Sequence, residues 1–284
     1  MVRFEHTIFA LPFALFSTVL AVESLGMNQT WPDTRTLGWI LLAMFGARSS
    51  AMAVNRILDA GYDAANPRTC ERAIPAGAIS ISRAWAFAVA TGLLLLIAAA
   101  QLNTLCLLLS PMAIIALVGY SWTKRFTRWT HLVLGGAIGI APVGAWIAIT
   151  GSVAWLPIMI GAATALWIAG FDIIYALQDI AVDRQLGIRS LPADLGARRA
   201  LRIARRFHVL MLGLLGLVGL VAALGLVYYI GLIACAVALA YEHAIVTPHD
   251  FRRVNTAFFT VNGWVGVGLF ACLALDRWIG GWIP

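Results

Sequence analysis

Charge is scarce in this chain. Only 12% of its 284 residues are Asp, Glu, Lys or Arg, while 61% are hydrophobic and the mean hydropathy is +0.87. Such values exclude an ordinary soluble domain and indicate a protein that crosses a membrane many times. Cysteine is equally thin: Cys70, Cys106, Cys235 and Cys272 are far apart, and three lie inside apolar runs. That pattern excludes a disulfide framework and zinc-finger spacing. His6, His131, His208, His243 and His249 form no ligand spacing either. A glycine-rich phosphate loop is missing, and Gly135, Gly136 and Gly139 read as small residues for close helix packing. The net charge of +7 raises the question of nucleic acid. Its basic residues, however, sit in short loops between apolar runs, a topology signal and not a binding stripe.

What the chain has in quantity is apolar sequence. Runs long enough to span a bilayer fall at about 7–25, 37–58, 84–102, 104–121, 131–151, 155–178, 207–225, 227–246 and 256–275. Each must be helical, because lipid offers no partner to backbone polar groups. The expected fold is therefore all-α, a polytopic bundle of about nine transmembrane helices in one domain, 1–284. Arg3 followed by an apolar run resembles a signal peptide, but no small-residue cleavage pattern follows Glu23, so an uncleaved first helix is expected. With the N-terminus inside, every Lys and Arg except Arg35, Arg48 and Arg277 falls on the inner side. This bias predicts a cytoplasmic N-terminus. The cluster Arg198, Arg199, Arg202, Arg205 and Arg206 reads as a helix face on anionic lipid, and the 11 Trp mainly as interface anchors.

Two acidic rows stand where apolar runs end on that inner side. Asn55, Asp59 and Asp63 fall at i, i+4 and i+8, so a helix would stack them on one face. Asp172, Tyr175, Asp179 and Asp183 form a second row, spaced D-x-x-Y-x-x-x-D-x-x-x-D. Each is followed by a basic loop containing Pro and Gly: Arg68 to Gly77 in one case, Arg189 to Gly196 in the other. The faint repeat predicts pseudo-symmetric halves, about 1–130 and 131–284, with a site between them.

Facing rows would gather Asp59, Asp63, Asp179 and Asp183. At about 6 Å and an effective dielectric of about 20, each carboxylate pair repels by roughly 3 kcal/mol. Such a cluster calls for divalent cations, and hard oxygen ligands suit two Mg²⁺ with positions left for substrate phosphate. Arg68, Arg72, Lys124 and Arg125 supply further positive charge, with arginine forks matched to phosphate oxygens. A diphosphate at a membrane surface suggests a lipid diphosphate with its tail among the helices.

These motifs, Asn55-x-x-x-Asp59-x-x-x-Asp63 with Arg68-Thr and Arg72, then Asp179-x-x-x-Asp183, resemble those of the UbiA superfamily of intramembrane aromatic prenyltransferases. Tyr120-x-x-x-Lys124 matches a further family element beside the diphosphate. The likeness covers nearly the whole chain and is greatest to bacterial enzymes that prenylate 4-hydroxybenzoate or 1,4-dihydroxy-6-naphthoate. The resemblance implies Mg²⁺-assisted loss of diphosphate from a polyprenyl diphosphate and attack of an aromatic hydroxy acid on the allylic cation, in ubiquinone or menaquinone biosynthesis. It places Asn55, Asp59, Asp63, Asp179 and Asp183 at the metal and diphosphate site. It also implies a bacterial inner-membrane enzyme whose site opens to the cytoplasm. Other acceptors known in the superfamily, such as haem, a chlorin, glycerol phosphate or phosphoribose, remain alternatives, and a secondary transporter is the competing class.

Arg48 lies inside the second span, seven residues and so about two turns before Asn55. An intramembrane Arg faces a cavity and an anion, so Arg48 is expected to bind the acceptor carboxylate. Asp172 shares a helical face with Asp179, and together with Tyr175 it is expected on the acceptor side.

Overall fold

The computed structural model describes residues 7–26 and 31–280, so Arg3 and His6 lie outside the described residues. Among the described residues the chain is helical, with no strand beyond an isolated bridge between Thr247 and Asp250. The long helices are α1 (Thr7–Ser24), α2 (Thr34–Leu58), α4 (Ile81–Leu102), α5 (Thr104–Thr123), α6 (Thr130–Thr150), α7 (Trp155–Tyr175), α10 (Ala197–Val221), α11 (Leu226–Ile245) and α12 (Asn262–Gly280). Short helices α3 (Ala60–Ala65), α8 (Ile180–Gln185) and α9 (Leu191–Leu195) lie between them. A 3₁₀ turn, Ala176–Asp179, follows α7, and a π-helical turn, Thr256–Val261, precedes α12. Eight of the long helices, by length and composition, can cross a membrane; α1 is the shorter apolar ninth. The chain is a multi-pass membrane protein.

The seventh run begins at Ala197, ten residues before the expected 207. Its first turns are amphipathic: Ala200, Leu201 and Ala204 are buried while Arg198, Arg199, Arg202, Arg205 and Arg206 are exposed. A hydropathy count ends at the arginines, but the helix does not, because one apolar face is enough to hold it against the bundle.

Two hairpins are very tight. Asn103 ends α4 and caps α5, accepting from Cys106 N at 2.9 Å and donating through Nδ2 to Ile147 O at 2.7 Å. Between α10 and α11 the connection passes through Ala223 at φ 47°. Asp276 of α12 accepts from Gly225 N (2.7 Å) and Tyr228 N (3.3 Å), while Arg277 donates to Ala222 O (2.6 Å). The end of α12 thus supplies the polar partners that the turn lacks.

Helices α6 and α7 pack almost backbone to backbone. A Cβ on Gly139 would stand 2.5 Å from Gly161 O, and one on Gly135 would collide with Ala165 O. Gly136 meets nothing within 4 Å and takes no part. Close approach of this kind holds helices together where lipid gives no hydrophobic drive. Behind α7 the core is aromatic, with Phe13, Phe16, Trp167 and Tyr228 fully buried. A polar chain crosses it: Trp167 Nε1 donates to Asn262 Oδ1, and Asn262 Nδ2 to Glu242 Oε1, both at 2.8 Å. Asn262 also donates to Ala257 O, satisfying a carbonyl of the π-helical turn (2.9 Å).

Neither acidic row runs along one uninterrupted helix, as its spacing suggests. Helix α2 stops at Leu58, whose carbonyl is taken by Arg125 Nη2 at 2.9 Å, and Asp59 occupies the turn before α3. Register survives the turn, since Asp63 N still donates to Asp59 O at 2.7 Å. In the second row the 3₁₀ turn tightens the winding between Tyr175 and Asp179.

Candidate active site

The two rows meet through the loop after α3. Arg68 grips Asp179 with two donors, Nε to Oδ1 at 3.0 Å and Nη2 to Oδ2 at 2.5 Å, and its Nη1 donates to Tyr175 Oη at 3.0 Å. Asn66 Nδ2 adds a bond to Asp179 Oδ1 (3.1 Å). Arg72 pairs with Asp63 at 2.5 Å, and Arg56 stands 3.9 Å from the other Asp63 oxygen. Lys124, the chain's only lysine, pairs with Asp59 at 2.5 Å. Asp183 accepts from Ser190 Oγ (3.1 Å), the residue that also caps α9. Each basic residue expected to meet phosphate, apart from Arg125, holds a carboxylate of the rows.

Arg125 is placed differently. Its guanidinium donates to Leu58 O and Ser121 O and sits 5.6 Å from the Tyr62 ring centroid, as a cap on the end of α2. Asn55 Nδ2 makes a long contact to Ser121 Oγ, 3.4 Å. Asp172 accepts or shares a proton with His131 Nδ1 at 2.7 Å. Tyr120 is close enough to Arg48, Asp59 and Asp172 to interact with all three charges.

Asp59 and Asp63 are only 4% and 6% exposed, and burial pushes the Asp59 carboxyl above its ordinary value, with the Lys124 charge opposing. Among the described residues, Asp59 Oδ1 and Asp63 Oδ2 are buried without a hydrogen-bond partner, as is Arg48 Nε. Buried polar atoms are normally satisfied, so several orphans around one space point to a ligand. Among the described residues, no group of three His, Cys, Asp or Glu side chains is arranged to hold a metal ion.

The space is a cavity of about 530 Å³ that reaches from Asp59, Asp63 and Asp179 past Arg48 and Tyr120 to Ile40, Leu102 and Ala148. Along α2, Ile40 lies about 27 Å from Leu58 at 1.5 Å per residue, and Asp59 follows directly. One end is charged and the other apolar. Sequence reasoning missed Asn66 and Ser190 as partners of the carboxylates and gave His131 no role. Their contacts join positions far apart in the chain or depend on a local turn, which no spacing encodes; Asn66 stands two residues before Arg68.

A helical membrane bundle with a long cavity, charged at one end and apolar along its length, defines a class: membrane proteins that handle amphipathic molecules with a polar, anionic head. The model of the UbiA prenyltransferase family matches residues 10–264. The 4-hydroxybenzoate octaprenyltransferase of Vibrio cholerae serotype O1 is 31% identical over 267 residues, 93% of this chain and 90% of the relative. The apo structure of a UbiA homologue from Aeropyrum pernix K1 superposes with a TM-score of 0.86 at 32% identity, covering 98% of this chain and all of that one. A UbiA homologue from Archaeoglobus fulgidus bound to GPP and Mg²⁺ shares the fold, with a TM-score of 0.70 and 20% identity, covering 94% of this chain and 95% of that one. The chain belongs to the UbiA prenyltransferase family, and it is a prenyltransferase.

Proposed function

We propose that this enzyme transfers a polyprenyl group from a polyprenyl diphosphate to an aromatic hydroxy acid, 4-hydroxybenzoate or 1,4-dihydroxy-6-naphthoate, on the way to ubiquinone or menaquinone. The observation that carries the reading is the position of Arg48 in the cavity, between the charged end and the apolar length. A donor fills the two extremes, with its diphosphate among the cations and its chain along the apolar wall. An unpartnered arginine at the junction offers a carboxylate its charge-assisted bond where the reacting carbon of the donor must lie. The names of the Vibrio relative and its like support the benzoate.

The donor set fits a divalent cation: Asp59 Oδ1 and Asp63 Oδ2 are buried carboxylate oxygens with no hydrogen-bond partner among the described residues, beside a space lined by further carboxylates. Asn55, Asp59, Asp63, Asp179 and Asp183 would hold Mg²⁺, two ions balancing the four carboxylates, and the Mg²⁺-bound homologue from Archaeoglobus supports that identity. When bound, Mg²⁺ supplies Lewis-acid stabilisation to the leaving diphosphate.

The chain's own residues do the rest. Arg68, Arg72 and Lys124 line the cavity and are anchored on carboxylates, so their remaining donors are held in place for phosphate oxygens before substrate arrives. Preorganised donors of this kind stabilise charge as it develops on the leaving group. Tyr175 fixes Arg68 from the side, and Tyr120 lines the wall beside Lys124 and Arg48. The apolar helices around the junction keep water from the allylic cation, so the electron-rich ring is the nucleophile at hand. Basic loops place the charged end at the cytoplasmic face of a bacterial inner membrane.

The test is product analysis by mass spectrometry. Purified enzyme with Mg²⁺, donors of several lengths and a panel of acceptors should yield prenylated hydroxy acids. Product from glycerol phosphate or haem, with none from the hydroxy acids, would overturn the reading.

A further inference from the structure

Aromatic substitution releases a proton from the ring, and the positively charged groups of the clamp, like Arg48, have no lone pair to accept it. A pair that can stands beside the cavity. His131, in the first turn of α6, and Asp172, on α7, both line it, and His131 Nδ1 lies 2.7 Å from Asp172 Oδ2. His131 is 3% exposed, and its other ring nitrogen, Nε2, is buried with no hydrogen-bond partner. A carboxylate at Nδ1 selects the tautomer with the proton on that nitrogen, which leaves the lone pair on Nε2. Burying an unpaired acceptor is costly, and here the cost is incurred at the wall of a substrate cavity.

We propose that His131 Nε2 is the base that takes the ring proton and that Asp172 is its positioning residue. The assignment rests on the aromatic prenyl transfer proposed above. The allylic C–O bond breaks with its electron pair on the diphosphate. A π pair of the phenol ring then forms the new C–C bond and leaves a cationic ring. Transfer of the proton from the substituted carbon to Nε2 returns the C–H electrons to the ring. The resulting imidazolium is stabilised by Asp172 and gives its proton to water as product leaves. No oxidant or reductant is needed.

Full-length enzyme with Mg²⁺, a polyprenyl diphosphate and an aromatic hydroxy acid provides the assay. His131→Asn retains an amide donor where Nδ1 stands, so it can still bond Asp172, yet has no basic nitrogen. The expected result is a kcat lower by about 100- to 10,000-fold, with acceptor KM within about threefold of wild type. An acceptor deuterated at the substituted carbon should show a primary isotope effect in this variant and none in the wild type, because proton loss has become the slow step. Asp172→Asn should give a smaller loss with the same isotope effect, and His131→Gln serves should the first variant not fold. A kcat within about threefold of wild type, or a large loss without the isotope effect, overturns the assignment to His131 alone. Wild-type enzyme that prenylates no hydroxy acid overturns the proposed function and this step with it.

Discussion

Asp59, Asp63 and Asp179 are each held by a cation and Asp183 by Ser190, and the proposed chemistry rests on these four carboxylates. Asp59→Asn keeps the shape of the side chain but removes a buried negative charge, and Asp179→Asn also removes half of the two-donor grip of Arg68. Either change should cut turnover by at least about 100-fold while the protein still inserts and elutes as the wild type does, as steady-state rates and gel filtration will show. Mg²⁺ should raise the melting temperature of wild type and do so far less in Asp59→Asn, because a ligand that binds only the folded state stabilises it in proportion to its affinity. Arg48→Leu should raise acceptor KM by about 10- to 100-fold, the worth of one charge-assisted bond, and leave donor KM near its wild-type value. Much of this was legible in the sequence, since aspartates at four-residue spacing and arginines in the following loop are local patterns. What stayed hidden was pairing. Arg68 and Asp179 are 111 positions apart, and nothing in either motif says that the basic residues hold the carboxylates as well as line the cavity. Arg125 looked like Lys124 by position, yet it turns to the carbonyl of Leu58, a choice made by where α2 happens to end.

Elements matter here mainly through their ends and their closest approaches. Asn103 serves two helices and a third through Ile147 O, so Asn103→Ala should lower thermal stability by about 1 kcal/mol for the cap, with more for the orphaned carbonyl; a melting series will read it. Gly139→Leu should be worse, since the added side chain has no room against Gly161, and α6 can move away only by opening the cavity wall. Low yield of folded protein and loss of activity together are expected, whereas Gly136→Leu, on an open face, should express and melt like wild type. The apolar runs foretold helix number well, because lipid leaves the backbone no alternative. Helix breaks at Asp59 and after Tyr175 were not foretold. Both lie in sequence that could continue a helix, and the interruption is set by neighbours. The arginine-rich start of α10 was lost for a simpler reason: average hydropathy does not register a buried stripe of Ala200, Leu201 and Ala204 among charges.

At the scale of the molecule, one cavity joins a charged end to an apolar length, and the proposed orientation puts the charged end at the cytoplasmic face. Cys70, half-buried in the loop after α3, reports that orientation directly. In Cys106→Ser, Cys235→Ser, Cys272→Ser enzyme, a membrane-impermeant maleimide should label inverted vesicles and not intact spheroplasts; the opposite result would place the site on the outer side. The central claim is that diphosphate loss and ring prenylation are one reaction in that cavity. Its most direct test is to count both products from the same purified sample: diphosphate released and prenylated hydroxy acid formed. The account predicts equal amounts of the two, and neither when Mg²⁺ is chelated or the acid is left out. Diphosphate released at an undiminished rate without an acceptor, or with no prenylated acid to match it, would contradict the account.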